Sequence, residues 1–191
     1  IMAFYIKGNN GTCLDCWYDN PCKEALNIPF GIRAGSSCRL MDNDDAGSFN
    51  IIIMVFSRST SPSTGILALK VTNDEISYGD TLTKSDTYTD LEVIRCSDTT
   101  FAIWDDNGDI TLCSVNTTTL EITETSGLLS TLPAGLITAK ASGVGDLYYS
   151  SSGILLGTWV QSLAMQTASV DVSSGTSLSV GTTESLFGSD P

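Results

Sequence analysis

The chain has 191 residues, 41% of them hydrophobic and 16% charged, with 22 acidic against 9 basic residues and a formal net charge of −13. A field of that sign repels phosphate backbones and anionic lipid, which argues against nucleic acid as a partner. Histidine is absent, so the usual proton shuttle near neutral pH, the commonest zinc ligand and any Ser-His-Asp triad are missing from the sequence.

In chain order, residues 1–47 read as a small Cys-rich segment. It opens on Ile1 without a charged-then-apolar leader, which fits either a removed signal or a place within a longer chain. A strand is expected over 2–6, with Met2, Phe4 and Ile6 on one face. Asn20-Pro21 is a helix-start signal for one short turn reaching Leu26. Cys13, Cys16, Cys22 and Cys38 crowd into this segment, and Cys96 and Cys113 come later. Such crowding reads as disulfide stapling of a module too small to hold itself by burial, with zinc binding and unbridged thiols as the alternatives. The lone Cys13-Leu-Asp-Cys16 lacks the second close pair of a Cys₄ zinc site, and Trp17-Tyr-Asp-Asn-Pro-Cys-Lys23 does not supply the helix of a thioredoxin-like motif. Residues 31–50 are turn-rich and end in Asp42-Asn-Asp-Asp-Ala-Gly47, the expected boundary with a β-repeat domain over 48–191.

Beyond that boundary, strands are expected at 49–57, 65–72, 75–81, 91–96, 100–105, 110–115, 120–125, 136–141, 146–149, 155–161, 167–172 and 177–182, separated by turn signals. Only residues 163–166 pass for a helical fragment. Short strands at this density predict an all-β chain, a sandwich or propeller-like four-stranded units. Residues 51–56 are six consecutive apolar side chains, far short of the roughly 18 a membrane helix needs, so no membrane insertion is expected. Such a run cannot alternate between core and solvent, so this strand is expected at the centre of a packed sheet or against a neighbouring subunit. Ile51, Ile53 and Val55, with Met2, Phe4 and Ile6, are the candidate assembly strands, and strand addition is the expected mode.

Asn107-Gly108 between apolar flanks predicts a hairpin with a two-residue type I′ turn. Asp105, Asn107 and Asp109 around it, and Asp42 and Asp44 earlier, offer alternate oxygens, a candidate calcium pattern that lacks the distal Glu of an EF-hand loop. The alternative is a solvated hairpin tip and an interdomain turn, and no other cofactor is expected. Asn10-Gly-Thr12 and Asn116-Thr-Thr118 are glycosylation sequons, and with the cysteines they point to an extracellular or virion-surface location. Trp104 and Trp159 lie on expected strands and belong to the core, whereas Trp17 sits in the stapled segment and is the candidate glycan contact.

Val71, Val115 and Val172 can be matched as equivalent third-strand valines, spaced by 44 and then 57 residues, which suggests about three units over 48–88, 89–134 and 135–188. Ser97-Asp-Thr-Thr-Phe-Ala-Ile-Trp-Asp-Asp with Ser114-Val-Asn-Thr-Thr-Thr-Leu-Glu-Ile-Thr, and Val172-Ser-Ser-Gly-Thr-Ser-Leu-Ser-Val-Gly-Thr, resemble propeller-type repeats of phage tail-fibre and large secreted adhesion proteins. The resemblance covers about 49–187 and implies a structural or attachment role. Closed propellers use about four to eight blades, so three units call for completion by something else. No nucleophile elbow, P-loop or dinucleotide fingerprint is present, so no enzymatic activity is expected. The expectation is a non-enzymatic structural subunit of an extracellular fibre, appendage or virion whose partners are itself or other structural subunits; the alternative is a carbohydrate- or receptor-binding β-propeller adhesion module with glycan partners.

Overall fold

The computed structural model describes residues 2–7, 13–18, 26–27, 32–41, 49–58, 64–72, 75–84, 91–105 and 107–186, with side chains from Ser36 onward other than Met41 and Arg58. Antiparallel β-structure dominates, and the described residues contain one α-helix. The chain divides into two compact units, Ile1–Val93 with Val115–Ile122, and Ile94–Ser114 with Thr123–Pro191.

In the first unit, β1 (Met2–Lys7) is the centre of a three-stranded sheet. It runs antiparallel to β2 (Cys13–Tyr18) along its whole length and parallel to β3 (Leu26–Asn27) at Ile6↔Leu26. Leu26, expected in a helical turn, is therefore in a strand. Next in the chain is a five-stranded sheet: β4 (Ile32–Met41), β5 (Asn50–Arg58) and β6 (Thr64–Val71) in sequence, with β7 (Ile76–Tyr78) and β8 (Leu82–Lys84) both pairing β6. The ten-residue β4 corrects the expectation of turns over 31–50. Its Ala34-Gly-Ser-Ser stretch has little strand propensity, but pairing with the adjacent β5 satisfies its backbone. Ile51 to Phe56 are each at most 5% exposed, and β5 is hydrogen-bonded to β4 on one side and β6 on the other. The six-residue apolar run is the middle of a sheet covered on both faces.

A second meander is formed by β9 (Glu92–Arg95), β10 (Thr100–Trp104), β11 (Ile110–Val115) and β12 (Ile122–Glu124), whose strand ends at Val93 and 115–122 are grouped with the first unit. The β10–β11 hairpin is present, but its turn is not type I′. Gly108 has φ +83°, the Gly108 N–H donates to Asp105 O, and the Asp105 N–H donates to Asp109 O, which closes the hairpin one residue beyond a two-residue turn. This is the three-residue loop with a glycine bulge. A side chain at Gly108 would also meet Ile137, only 2.5 Å from where its Cβ would stand.

The second unit continues into α1 (Ala134–Ala141), then β13 (Gly145–Ser151), β14 (Ile154–Gln161) and β15 (Ala164–Asp171), with β16 (Ser179–Val180) and β17 (Glu184–Ser185) both pairing β15. A helix over 134–141 corrects the strand expected at 136–141: Ile137 and Thr138 look β-like, yet Leu136 and Ala139 repeat at helical spacing on the buried side. The helix ends in a Schellman motif, with Gly143 at φ +68°, its N–H on Lys140 O, and the Val144 N–H on Ala139 O. Leu136 packs close over Gly157 of β14, where a Cβ would lie 2.8 Å from Leu136 Cδ2. The core of this unit joins Ile94, Cys96, Ala102, Trp104 and Leu112 with Leu136 and the inward side chains Leu147, Leu155, Trp159 and Val170. The Lys140 ammonium lies 4.4 Å over the Trp104 ring, a cation–π contact that offsets part of the cost of burying it.

The first and third meanders share a detail. Their fourth strand is split, β7/β8 and β16/β17, and at each break a glycine N–H donates to the third strand, Gly79 to Ala68 O and Gly181 to Ser169 O. Val71 and Val115 end the third strands β6 and β11, Val172 comes directly after β15, and all three valines are buried.

Candidate functional site

The structure draws attention to one end of the third sheet, within the second unit. Val160 stands opposite Met165; the Val160 N–H donates to Val144 O, and the Leu186 N–H donates to Met165 O. Directly opposed residues of antiparallel strands point to one face, so Val144, Val160, Met165 and Leu186 form an apolar row across the sheet. Each is 38–52% exposed. At the hairpin tip joining β14 to β15, Ser162 and Leu163 both adopt positive φ (53° and 64°), and Leu163 is 96% exposed. Holding an L-residue there costs on the order of 1–2 kcal/mol. The row and the tip leucine thus leave five large apolar side chains exposed at this end of the sheet. Val144 and Val160 also form one wall of an open groove of about 300 Å³, closed on the other side by Ala134, Gly135 and Thr138 of the helix.

The neighbouring row on the same face is polar: Asp146, Thr158, Thr167 and Glu184 stand opposite one another in turn. Beyond it comes the pair Tyr148–Leu156, 51% and 39% exposed. Residues 141–191 contain no lysine or arginine, so the whole face is acidic or neutral. Asp171, at the far end of β15, accepts hydrogen bonds from Ser173, which hold its carboxyl below the usual range. The ingredients of acid–base or metal chemistry do not gather here, and among the described residues no three of His, Cys, Asp or Glu group as a metal-binding set. What this surface can do is bury apolar area. No sequence signal marks it, because Leu155 and Leu156 are equally apolar and only strand register decides which one faces out.

The residues singled out from sequence fall elsewhere. Cys13, Cys16 and Trp17 lie in β2, at a position known for the backbone only, and Cys22, Asn10, Asp42 and Asp44 lie outside the described residues. Cys38, Cys96 and Cys113 stand as thiols. Cys96 packs in the core of the second unit and its thiol is pushed up to about 12, first by burial and then by Cys113. Cys113 sits one residue past the inward-facing Leu112, so it projects to the other side of the sheet.

Asp105 is buried at 3% exposure rather than solvated as a hairpin tip would be, because its Oδ1 accepts the N–H groups of Asn107 (2.9 Å) and Asp109 (3.0 Å) and holds the loop. Asn107 is exposed and Asp109 half-buried. Asn116 is exposed, its Oδ1 accepting the N–H groups of Thr118 and Thr119. Trp104 and Trp159 are core residues. Met2, Phe4 and Ile6 belong to β1, which is paired within the chain, and Ile51, Ile53 and Val55 belong to the doubly covered β5.

Fold and surface together define an all-β protein of successive antiparallel meanders with an apolar patch on the last. Set beside models of known families, curated proteins and solved structures, the chain finds no match.

Proposed function

We propose that the chain is a non-enzymatic structural subunit of an extracellular fibre, appendage or virion, made of propeller-type four-stranded units and assembling through its β-sheets. The observation that carries this reading is a contrast in cover. The central strands of the first two meanders are buried on both faces, Ile51–Phe56 of β5 and Phe101–Trp104 of β10, while the third leaves one face open with an apolar row on it. An uncovered apolar row is a surface to offer a neighbour. Support for a repeated unit comes from the matching glycine breaks at Gly79 and Gly181 and from the valines closing each third strand. The surface location rests on the sequons, of which Asn116 is exposed.

The alternative, a carbohydrate- or receptor-binding module, would rest on Trp17 of β2, since Trp104 and Trp159 are buried and the ring of Tyr149 is stacked by Arg95 at 4.6 Å. Negative-stain imaging and sedimentation of the full chain test the reading. Particles of several subunits are expected, and a chain that stays monomeric over the whole accessible concentration range would overturn it.

A further inference from the structure

We propose that Asn107 is a self-modification site, where the chain deamidates through a succinimide and the folded β10–β11 loop holds that reaction in check. Asparagine is among the thermolabile residues, and the reaction needs the next residue's backbone nitrogen to reach the side-chain carbonyl. Asn107 is exposed, and the glycine that follows it, Gly108, has no Cβ to obstruct that approach. The Gly108 nitrogen, giving up its proton, bonds to Asn107 Cγ; the Cγ–Nδ2 bond breaks and ammonia leaves carrying that proton. Water then opens the succinimide ring at either carbonyl. One product is aspartate, and the other is isoaspartate, whose backbone is longer by a methylene.

The folded loop opposes ring closure in several ways. The Gly108 N–H, whose proton must leave, donates to Asp105 O at 3.1 Å. Gly108 is buried, and Ile137 of α1 lies so near that a Cβ would stand 2.5 Å from its Cγ2, so the peptide plane has little room to turn. Asp105 Oδ1 holds the N–H groups on either side, Asn107 at 2.9 Å and Asp109 at 3.0 Å. The reaction therefore proceeds from an opened loop, and its rate follows how often the loop opens. Reclosure is then impaired. Isoaspartate lengthens the chain between the two N–H groups that share the Asp105 carboxylate, and either product sets a new negative charge beside it. Each opening that reacts is thus recorded permanently at this turn.

Peptide mapping by mass spectrometry, with enzymatic methylation to detect isoaspartate, tests this on the full chain incubated at mildly alkaline pH with and without unfolding urea. In urea Asn107 should convert about as fast as Asn10, which also precedes a glycine. Asn107 left intact there while Asn10 converts would overturn the site. In the native chain Asn107 should convert more slowly than in urea by about tenfold or more, and equal rates would overturn the hold of the fold. Asp105→Ala, verified as folded by its urea transition, should regain much of the lost rate, whereas Asp105→Asn keeps an acceptor and should stay nearer the wild type. Ile137→Ala loosens the packing on Gly108 with the hydrogen bonds left in place, and should raise the native rate by a smaller factor. Native rates unchanged in Asp105→Ala and Ile137→Ala alike would overturn the assignment of the gate to this loop.

Discussion

In β5, Ile51 to Phe56 present apolar side chains to both faces and both are buried, whereas β14 alternates, with Leu155, Gly157 and Trp159 inward and Leu156 and Val160 outward. The two sheets nonetheless share a backbone plan: sequential antiparallel strands and a fourth strand broken at a glycine. Connectivity is thus set by turns and backbone pairing, while cover is set by which faces carry apolar side chains. The third sheet keeps the plan of the first and differs in what lies over it.

The largest expected effect tests that contrast directly. Ile53→Asp puts a charge into a fully buried site, and a loss above about 4 kcal/mol is expected, enough to abolish the cooperative urea transition. Val160→Asp, on the open face, should change stability by no more than about 0.5 kcal/mol. Comparable losses in both variants, measured at concentrations where the chain is monomeric, would mean that the outer face of β14 is covered within a single chain, and the contrast would fail. Next comes Trp104→Ala, which empties the centre of the core that the second unit builds between its sheets and helix, with an expected cost of about 3–5 kcal/mol. Tyr148→Ala on the open face should cost under about 1 kcal/mol. Equal effects would put Tyr148 in the core as well.

Asp105 probes the hairpin. Asp105→Ala leaves the Asn107 and Asp109 N–H groups without their acceptor, at an expected cost of about 1–3 kcal/mol. Asp105→Asn keeps an acceptor oxygen and should recover part of that. Identical losses in the two variants would assign the effect to packing instead.

Local chemistry was readable wherever it acts alone. The β10–β11 hairpin follows from Asn107-Gly108, and the burial of 51–56 follows from a run that cannot alternate. The turn type did not follow, because the Asp105 carboxylate gathers two N–H groups and favours a longer loop. The type I′ geometry occurs instead at Ser162-Leu163, which carries no signature for it. Likewise β4 is a strand through its partner rather than its own residues, and α1 hides behind Ile137 and Thr138, its stop signal lying beyond its end at Gly143. The apolar row was invisible because it is assembled by register from four segments between Val144 and Leu186.

The smallest effect at neutral pH, and the one whose sign is most sharply defined, belongs to Cys96. Its thiol lies in the core with its S–H directed at Ile94 O, and burial raises it to about 12. In the unfolded chain the same thiol ionises near about 8.5. Below that pH both states hold the proton and Cys96 adds no pH dependence. Between the two values the unfolded state releases a proton that the folded state retains, so stability present below about 8.5 is lost as pH rises toward 12, by at most about 1.4 kcal/mol per pH unit. Urea transitions of wild type and Cys96→Ala should therefore keep a constant separation from pH 6 to about 8, after which the wild type should fall faster. Curves that stay parallel would show a thiol that ionises freely in the folded protein. The covered side of the middle sheet would then be as open to water as the outer face of β14, and the division between covered and uncovered sheets would not hold.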